Sequence, residues 1–390
     1  MKNNWRFILP VLIFLLLGSA LLSYIFYQQS ASSTVPSSNE PQIVHTHGAK
    51  SVVSFDRTVT TEVTLSAVGD LLIHDSVYHT AETADGYDFK PMINPVKQYL
   101  METDISIANQ ETIIGGTEIG LSNYPSFNSP FEVADALLDA GIDIVSIANN
   151  HTLDRGERAI MNAIGHYEKI GMQYTGGYKD EEDRDTLRTI TKNGLVFSFL
   201  SYTYGTNGIP IPQGKDYLVN LIDRERIEGD IAHAREHSDI VIVSMHWGVE
   251  YVLYPNQEQE SLAQFLADAG ADIVIGHHPH VLQPMQFIEK KDGGKMFVVY
   301  SLGNFLSAQV GNYKDIGGIV QLRIAKTIDK DGSSVNIEVD QFIPTYVSQL
   351  RSAKYHIVPL SDAGDYGFSN AAAKNNEMMD HMFQWINDGQ

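Results

Sequence analysis

The 390-residue sequence contains no cysteine. That excludes a disulfide framework, a thiolate metal site and a thiol nucleophile, and it leaves no cysteine to carry a lipid. Cations are scarce as well: 27 lysines and arginines face 48 aspartates and glutamates, for a formal charge of -21. Nucleic-acid binders gain most of their affinity by neutralising phosphates with Lys and Arg, so no nucleic-acid partner is expected. An anionic lipid surface would also repel the body of such a chain. The strand-end turns hold neither a G-x-S-x-G elbow nor a phosphate-cradling P-loop, which weakens serine-hydrolase and nucleotide-driven readings.

One long apolar run is present, at the start. From Phe7 to Phe26 there is no charge, and Lys2 and Arg6 precede the run while no Lys or Arg follows until Lys50. About 20 apolar residues span a bilayer as a helix, and the positive-inside rule keeps the basic end in the cytoplasm. Residues 1–28 are therefore expected to be a single-pass membrane anchor with the bulk of the chain outside the cell. A cleaved signal peptide is the rival, its apolar stretch being long for that role. Residues 29–59, with "QQSASSTVPSSNEPQ", read as a flexible stalk in which His45 and His47 are solvated chain.

From about Thr60 the pattern changes to short β-branched runs, each followed by a polar loop and then a helix-like stretch. The clearest are "VTLSAVGD", "DISIANQE", "GIDIVSIANNH", "DIVIVSMHWG", "GADIVIGHHPH" and "MFVVYSLGNF". Nearly continuous apolar strands suit a sheet covered on both faces, and "FEVADALLDA" and "QEQESLAQFLADA" carry helical spacing. The fold class is α/β. Residues 60–325 are read as one domain and residues 326–390 as an appended extension with a strand-like and then a helix-like part.

Polar side chains recur where the apolar runs stop, and in open α/β sheets ligands bind beyond the carboxyl ends of the strands. Five of the fourteen histidines lie in three such loops. His278 and His280 form an H-x-H pair, which in an extended segment aims both rings to one side, with His277 turned away to brace or pack. Asn150 offers an amide oxygen, His151 a general acid and Asp154 a carboxylate to orient it. His246 alone would read as a core histidine; beside the other motifs it reads as a ligand, with Glu250 orienting it or exposed. Asp70 and Glu111 supply carboxylates, either of which could bridge two cations, and Asn109 lies beside them. The mixed N/O set suits manganese, iron or zinc better than calcium. Asn304 in "YSLGNF" reads as shaping a loop.

In order and wording these motifs resemble the CapA (PgsA) family of poly-γ-glutamate capsule biosynthesis proteins, over roughly Thr64 to Ala308. The resemblance implies a metallophosphoesterase-like sandwich of two β-sheets flanked by helices. It implies an accessory subunit of the membrane machinery that makes and exports the polymer, with the other synthase subunits and poly-γ-glutamate as partners. An extracellular metal-dependent hydrolase acting on phosphoesters or γ-glutamyl bonds is the alternative. By the phosphoesterase pattern Asp70 and His280 would take a first divalent ion, Asn150, His246 and His278 a second, Glu111 would bridge, and His151 would protonate the leaving group. That pattern begins D-x-H, whereas Leu72 follows Asp70 here, and "NQE" replaces its usual second aspartate. The first site would then be weaker, or filled by Asn109 or His74, or empty.

Overall fold

The structure is a computed structural model that describes residues 58–350 and 354–387. The expected anchor, most of the stalk, and His45 and His47 lie outside the described residues. Among the described residues no helix is long and apolar enough to cross a membrane.

Among the described residues sixteen strands run in chain order, beginning with β1 (Val59–Leu72), β2 (Glu82–Thr83), β3 (Gly86–Tyr87), β4 (Ile105–Asn109), β5 (Ile144–Ser146), β6 (Gln173–Thr175), β7 (Arg188–Lys192) and β8 (Leu195–Thr203). The second half continues with β9 (Ile240–His246), β10 (Ile273–His277), β11 (Leu282–Glu289), β12 (Lys295–Leu302), β13 (Asn304–Ser307), β14 (Ile316–Asp329), β15 (Gly332–Leu350) and β16 (Lys354–Pro359). Each of the six apolar runs picked out in the sequence contains or forms a strand.

These strands build two mixed sheets. The larger has the order β16-β15-β14-β1-β4-β5-β6, with β13 added beside β1, and the smaller has β11-β12-β10-β9-β8-β7. Four neighbouring strands are parallel in each, β1-β4-β5-β6 and β12-β10-β9-β8, with antiparallel strands at the borders. Parallel strands need crossovers, and the helices that supply them cover the outer faces.

Three buried clusters mark four layers. Side chains alternate along a strand, so Val63, Leu65 and Ala67 of β1 share one face and meet Ile242 of β9 and Ile275 of β10 between the sheets. Helices Glu132–Asp139 and Gly156–Ile170 close the outer face of the larger sheet through Val133, Leu137, Ile160 and Ile164. Helices Arg224–His237 and Gln257–Ala269 do the same for the smaller through Ile227, Ile231, Leu262 and Leu266. The latter helix starts on a capping box, in which Asn256 accepts from the Gln259 amide while the Gln259 side chain accepts from that of Asn256, and it stops at left-handed Gly270.

The boundary expected at residue 325 falls inside β14, which continues unbroken to Asp329. β15 and β16 extend the larger sheet, and helix Ala371–Asn387 lies against β11, where His381 Nε2 is 3.1 Å from the Leu282 carbonyl. The residues after Ala325 thus complete a sheet edge and bury Met378 and Met382 in the core between the sheets.

Candidate metal centre at the strand ends

The parallel strands of both sheets end at one place. In register, Asp70 stands opposite Asn109 of β4 and Asn304 of β13, while His246 of β9 stands opposite His277 of β10. A bulge at Gly69 breaks the pairing of β1 with β4 just before Asp70, and the pairing with β13 shifts just after it. A side chain at Gly69 would put a Cβ 1.9 Å from the Gly303 carbonyl oxygen, so only glycine allows this approach. The Asp70 amide donates to that same carbonyl at 2.9 Å.

Asp70 is fully buried and heavily coordinated. Its Oδ1 accepts from Asn109 Nδ2 at 2.8 Å, and its Oδ2 accepts from the His278 amide at 3.2 Å and from His280 Nδ1 at 3.1 Å. His277 Nδ1 sits 3.4 Å from Oδ1. Burial alone would raise its pKa, but the His277 and His280 rings outweigh burial and hold Asp70 well below the usual carboxylate range. Glu111 is the opposite case. Neither of its buried oxygens has a hydrogen-bond partner, and the nearest ring nitrogens are those of His280 at 3.6 Å and His246 at 3.9 Å. Burial pushes its pKa well up, only partly countered by His280.

His280 carries the counter-charge that both carboxylates share. Burial opposes its protonation, but Glu111 and Asp70 together push it up to about 9. His278 goes the other way, down to about 3, through burial and the positive His280 ring. His246 is also held well below the usual histidine range by burial and then by His278.

Donor atoms converge in two overlapping groups. Ligand atoms of Asp70, Glu111 and His246 lie within 4.8 Å of one another, and so do those of Glu111, His278 and His280. Glu111 belongs to both. His246 Nε2 is 3.0 Å from Asn150 Oδ1, which brings Asn150 to the same place. The expected ligands Asp70, Glu111, Asn150, His246, His278 and His280 therefore meet, although they come from five separate stretches of sequence.

The H-x-H pair converges by a route that differs from the extended one expected. β10 stops at His277, and His278 and His280 take left-handed backbone conformations, φ 95° and 58°, around Pro279. Two such turns carry both rings to the centre, with centroids 5.8 Å apart. Strain of this kind persists where surrounding contacts over-determine it, and here the His278 amide and the His280 ring both bind Asp70.

The remaining candidates divide. His151 Nδ1 is 2.7 Å from Asp154 Oδ2, which also accepts from the Phe127 amide, so the carboxylate orients the ring as expected and leaves Nε2 for an exchangeable proton. Asn109 uses its amide nitrogen on Asp70 and keeps an unpartnered Oδ1. His277 braces Asp70 from β10. His74 Nδ1 is held by the Leu72 carbonyl at 2.9 Å and the ring packs edge-on against Phe127, apart from both donor groups. Glu250 is exposed in the loop after β9, and its charge reaches Glu111 and Tyr251. Asn304 spends its amide nitrogen on Gln309 and the Lys314 carbonyl and shapes the loop.

Two residues in the loop after β8 join the centre without having been picked out. Tyr204 stacks on His246 at 6.1 Å and lies tilted against His278 at 4.7 Å, while Asn207 Oδ1 accepts from Asn150 Nδ2 and Asn207 Nδ2 lies beside His151 Nδ1, each at 3.4 Å. The signal was the apolar run "LVFSFLSYT" ending in "YGTNG", a strand end of the same kind as the others.

Comparison with known proteins places this centre in a family. Residues 64–309 match the model of the bacterial capsule synthesis protein PGA_cap. The chain belongs to that family. Among its relatives, the PGA biosynthesis protein CapA of Bacillus subtilis is 34% identical over 197 residues, 50% of each chain. The capsule biosynthesis protein CapA of Bacillus anthracis is 28% identical over 263 residues, 64% of this chain and 60% of that one. The chain thus spans about half to three fifths of the length of these relatives. Among solved structures, the calcineurin-like phosphoesterase YfkN of Bacillus subtilis aligns with a TM-score of 0.40 and 16% identity, over 72% of this chain and 91% of that one. Every loop of this PGA_cap member that carries a candidate ligand lies inside the matched span.

Proposed function

We propose that this chain is a membrane-tethered, extracellular subunit of the machinery that makes or exports poly-γ-glutamate capsule, with a phosphoesterase-like centre for one or two divalent cations. Membership of the capsule synthesis family and the names of its relatives support the capsule role. The observation that carries the metal reading is Glu111, a fully buried carboxylate with no hydrogen-bond partner at either oxygen. Desolvating such a group costs on the order of several kcal/mol, and the His280 ring at 3.6 Å offsets that cost only in part. The donor set fits: imidazole nitrogens and carboxylate and amide oxygens suit manganese, iron or zinc.

Asp70 and His280 would hold the first ion, Asn150, His246 and His278 the second, and Glu111 both. When bound, such ions polarise the scissile group and lower the pKa of a bound water. Asn109 and His277 keep Asp70 in place from either side. His151, held by Asp154, is the residue placed to donate a proton from Nε2 to a leaving group. Tyr204 packs its ring against those of His246 and His278.

The His151–Asp154 pair favours a second reading, a metal-dependent hydrolase of phosphoesters or γ-glutamyl bonds, because a purely structural centre needs no oriented acid. A polyglutamate chain would be repelled by a body of charge -21, so its contact with this protein calls for a local cation. Capsule-producing cells carrying Glu111→Gln or His151→Ala in place of the wild-type chain test both readings. Loss of polymer in Glu111→Gln is expected, and normal polymer would overturn the role of this centre. Turnover of a generic phosphoester and of poly-γ-glutamate by the purified chain, abolished in His151→Ala, is what the hydrolase reading requires; polymer loss with no hydrolysis of either substrate removes it.

A further inference from the structure

Helix Arg224–His237, on the outer face of the smaller sheet, carries "HAREH" in its last turns. His233, Glu236 and His237 stand at i, i+3 and i+4, positions that share one face of a helix. The buried face is made by Ile227, Ile231 and Ala234, so all three polar residues are exposed on the far side. Their ligand atoms lie within 4.8 Å of one another, and the two imidazole centroids are 4.5 Å apart. Arg235, the cation between them in sequence, is turned inward onto the Gly270 carbonyl and Asp272.

One hydrogen bond prepares the site. His237 Nδ1 lies 2.8 Å from the His233 backbone carbonyl, and a carbonyl oxygen only accepts. The proton of the neutral ring is therefore on Nδ1, and the Nε2 lone pair is free to bind. An imidazole N–H tied to a backbone carbonyl is the usual support of a metal-bound histidine. Among the described residues Glu236 makes no ion pair that would compete for its carboxylate.

We propose that His233, Glu236 and His237 form a surface site for a borderline transition-metal ion of the zinc, nickel or copper class, separate from the strand-end centre. Two imidazoles and one carboxylate select such ions over magnesium and calcium, which take oxygen ligands. Three protein ligands leave a fourth position for water or an incoming group. His233 also lines a cavity of about 880 Å³ between this helix and the β7–β8 edge, with Arg226 and Asp230 beside it, so the site adjoins a space large enough for a small ligand. A bound ion would also cross-link the last turn of the helix through residues four apart.

The chelator-stripped full chain is titrated with Zn²⁺ against a chromophoric competitor, beside His233→Ala, His237→Ala and Asp70→Ala. The expected result is one equivalent whose affinity falls at least tenfold in each of the two helix variants and is kept in Asp70→Ala. All three helix residues are exposed, so the variants keep the unfolding temperature of the stripped wild type. Unchanged equivalents and affinity in both helix variants would overturn the site, whatever happens at Asp70.

Discussion

Glu111→Gln separates a metal-bridging carboxylate from an ordinary buried polar group, because the two roles predict opposite effects on the metal-free protein. The Glu111 oxygens have no hydrogen-bond partner and the nearest cationic nitrogen is 3.6 Å away. At an effective dielectric of about 20, that ring is worth about 4–5 kcal/mol of attraction. Desolvation costs a similar several kcal/mol, and Asp70 and Glu250 add repulsion. The upward displacement of the Glu111 pKa means that the opposing contributions win. Glutamine keeps the shape and removes the charge, so the chelated variant is expected to be as stable as wild type or more stable by about 1–2 kcal/mol. An ordinary buried polar group that had made its hydrogen bonds would instead cost about 1–3 kcal/mol on replacement.

The metal-bound protein reverses the order. An ion at about 100 times its Kd stabilises by about 2.7 kcal/mol per site, so two sites add about 5 kcal/mol, or about 10 °C at roughly 2 °C per kcal/mol for a domain of this size. Because Glu111 serves both donor groups, Glu111→Gln is expected to reduce that rise to under about 3 °C. Differential scanning calorimetry in chelator and in Mn²⁺ reads both quantities. A variant that melts several degrees lower in chelator yet keeps the full manganese rise would refute the reasoning.

Three further outcomes follow from particular contacts. His151→Ala is expected to lower any phosphoester turnover by about 10²–10⁴-fold while leaving the metal content unchanged, and Asp154→Asn should lower it less, both read by steady-state kinetics beside metal analysis. Gly69→Ala drives a Cβ to 1.9 Å from the Gly303 carbonyl oxygen, so it should cost about 3 kcal/mol or more in urea unfolding and displace Asp70; a neutral effect would contradict the bulge argument. Burial works against ionised Asp183, but the Lys179 amide, the Tyr174 hydroxyl and Arg188 outweigh it and lower its pKa. A depressed carboxylate stabilises the fold above its unfolded pKa of about 3.9 and loses that contribution as pH falls through the folded value, so Asp183→Asn should destabilise the fold at neutral pH, with the cost shrinking as pH falls below about 3.9. A cost independent of pH would assign its role to packing.

How much of this was legible in the sequence depended on whether a feature was local. Apolar runs such as "DIVIVS" and "ADIVIG" are buried on both faces, which makes them readable without a partner, and each ends on the histidine that it delivers. Convergence of the loops followed from one rule about parallel strands, and six candidate ligands met accordingly. What the rule could not supply was backbone direction within a loop. His278 and His280 reach the centre through two left-handed residues, a conformation that their side chains do not announce. Partner choice was equally hidden: Asn109 turned its amide to Asp70 because β4 and β1 are in register there, and His74 was taken by the Leu72 carbonyl two residues back. Tyr204 was missed because its run, "FSFLSYT", ends in hydroxyls and not in a residue that binds metal. The change of composition after Ala325 was real, but it marks the passage from crossover strands to the long antiparallel hairpin of β14 and β15, so it fell inside a strand.

The central claim is that Glu111 stands between two cation sites, and anomalous diffraction from crystals soaked in Mn²⁺ tests it most directly. The account predicts manganese in contact with Glu111, beside Asp70 and His280 on one side and beside Asn150, His246 and His278 on the other. Manganese bound only elsewhere, with both Glu111 oxygens free of it, would contradict the account.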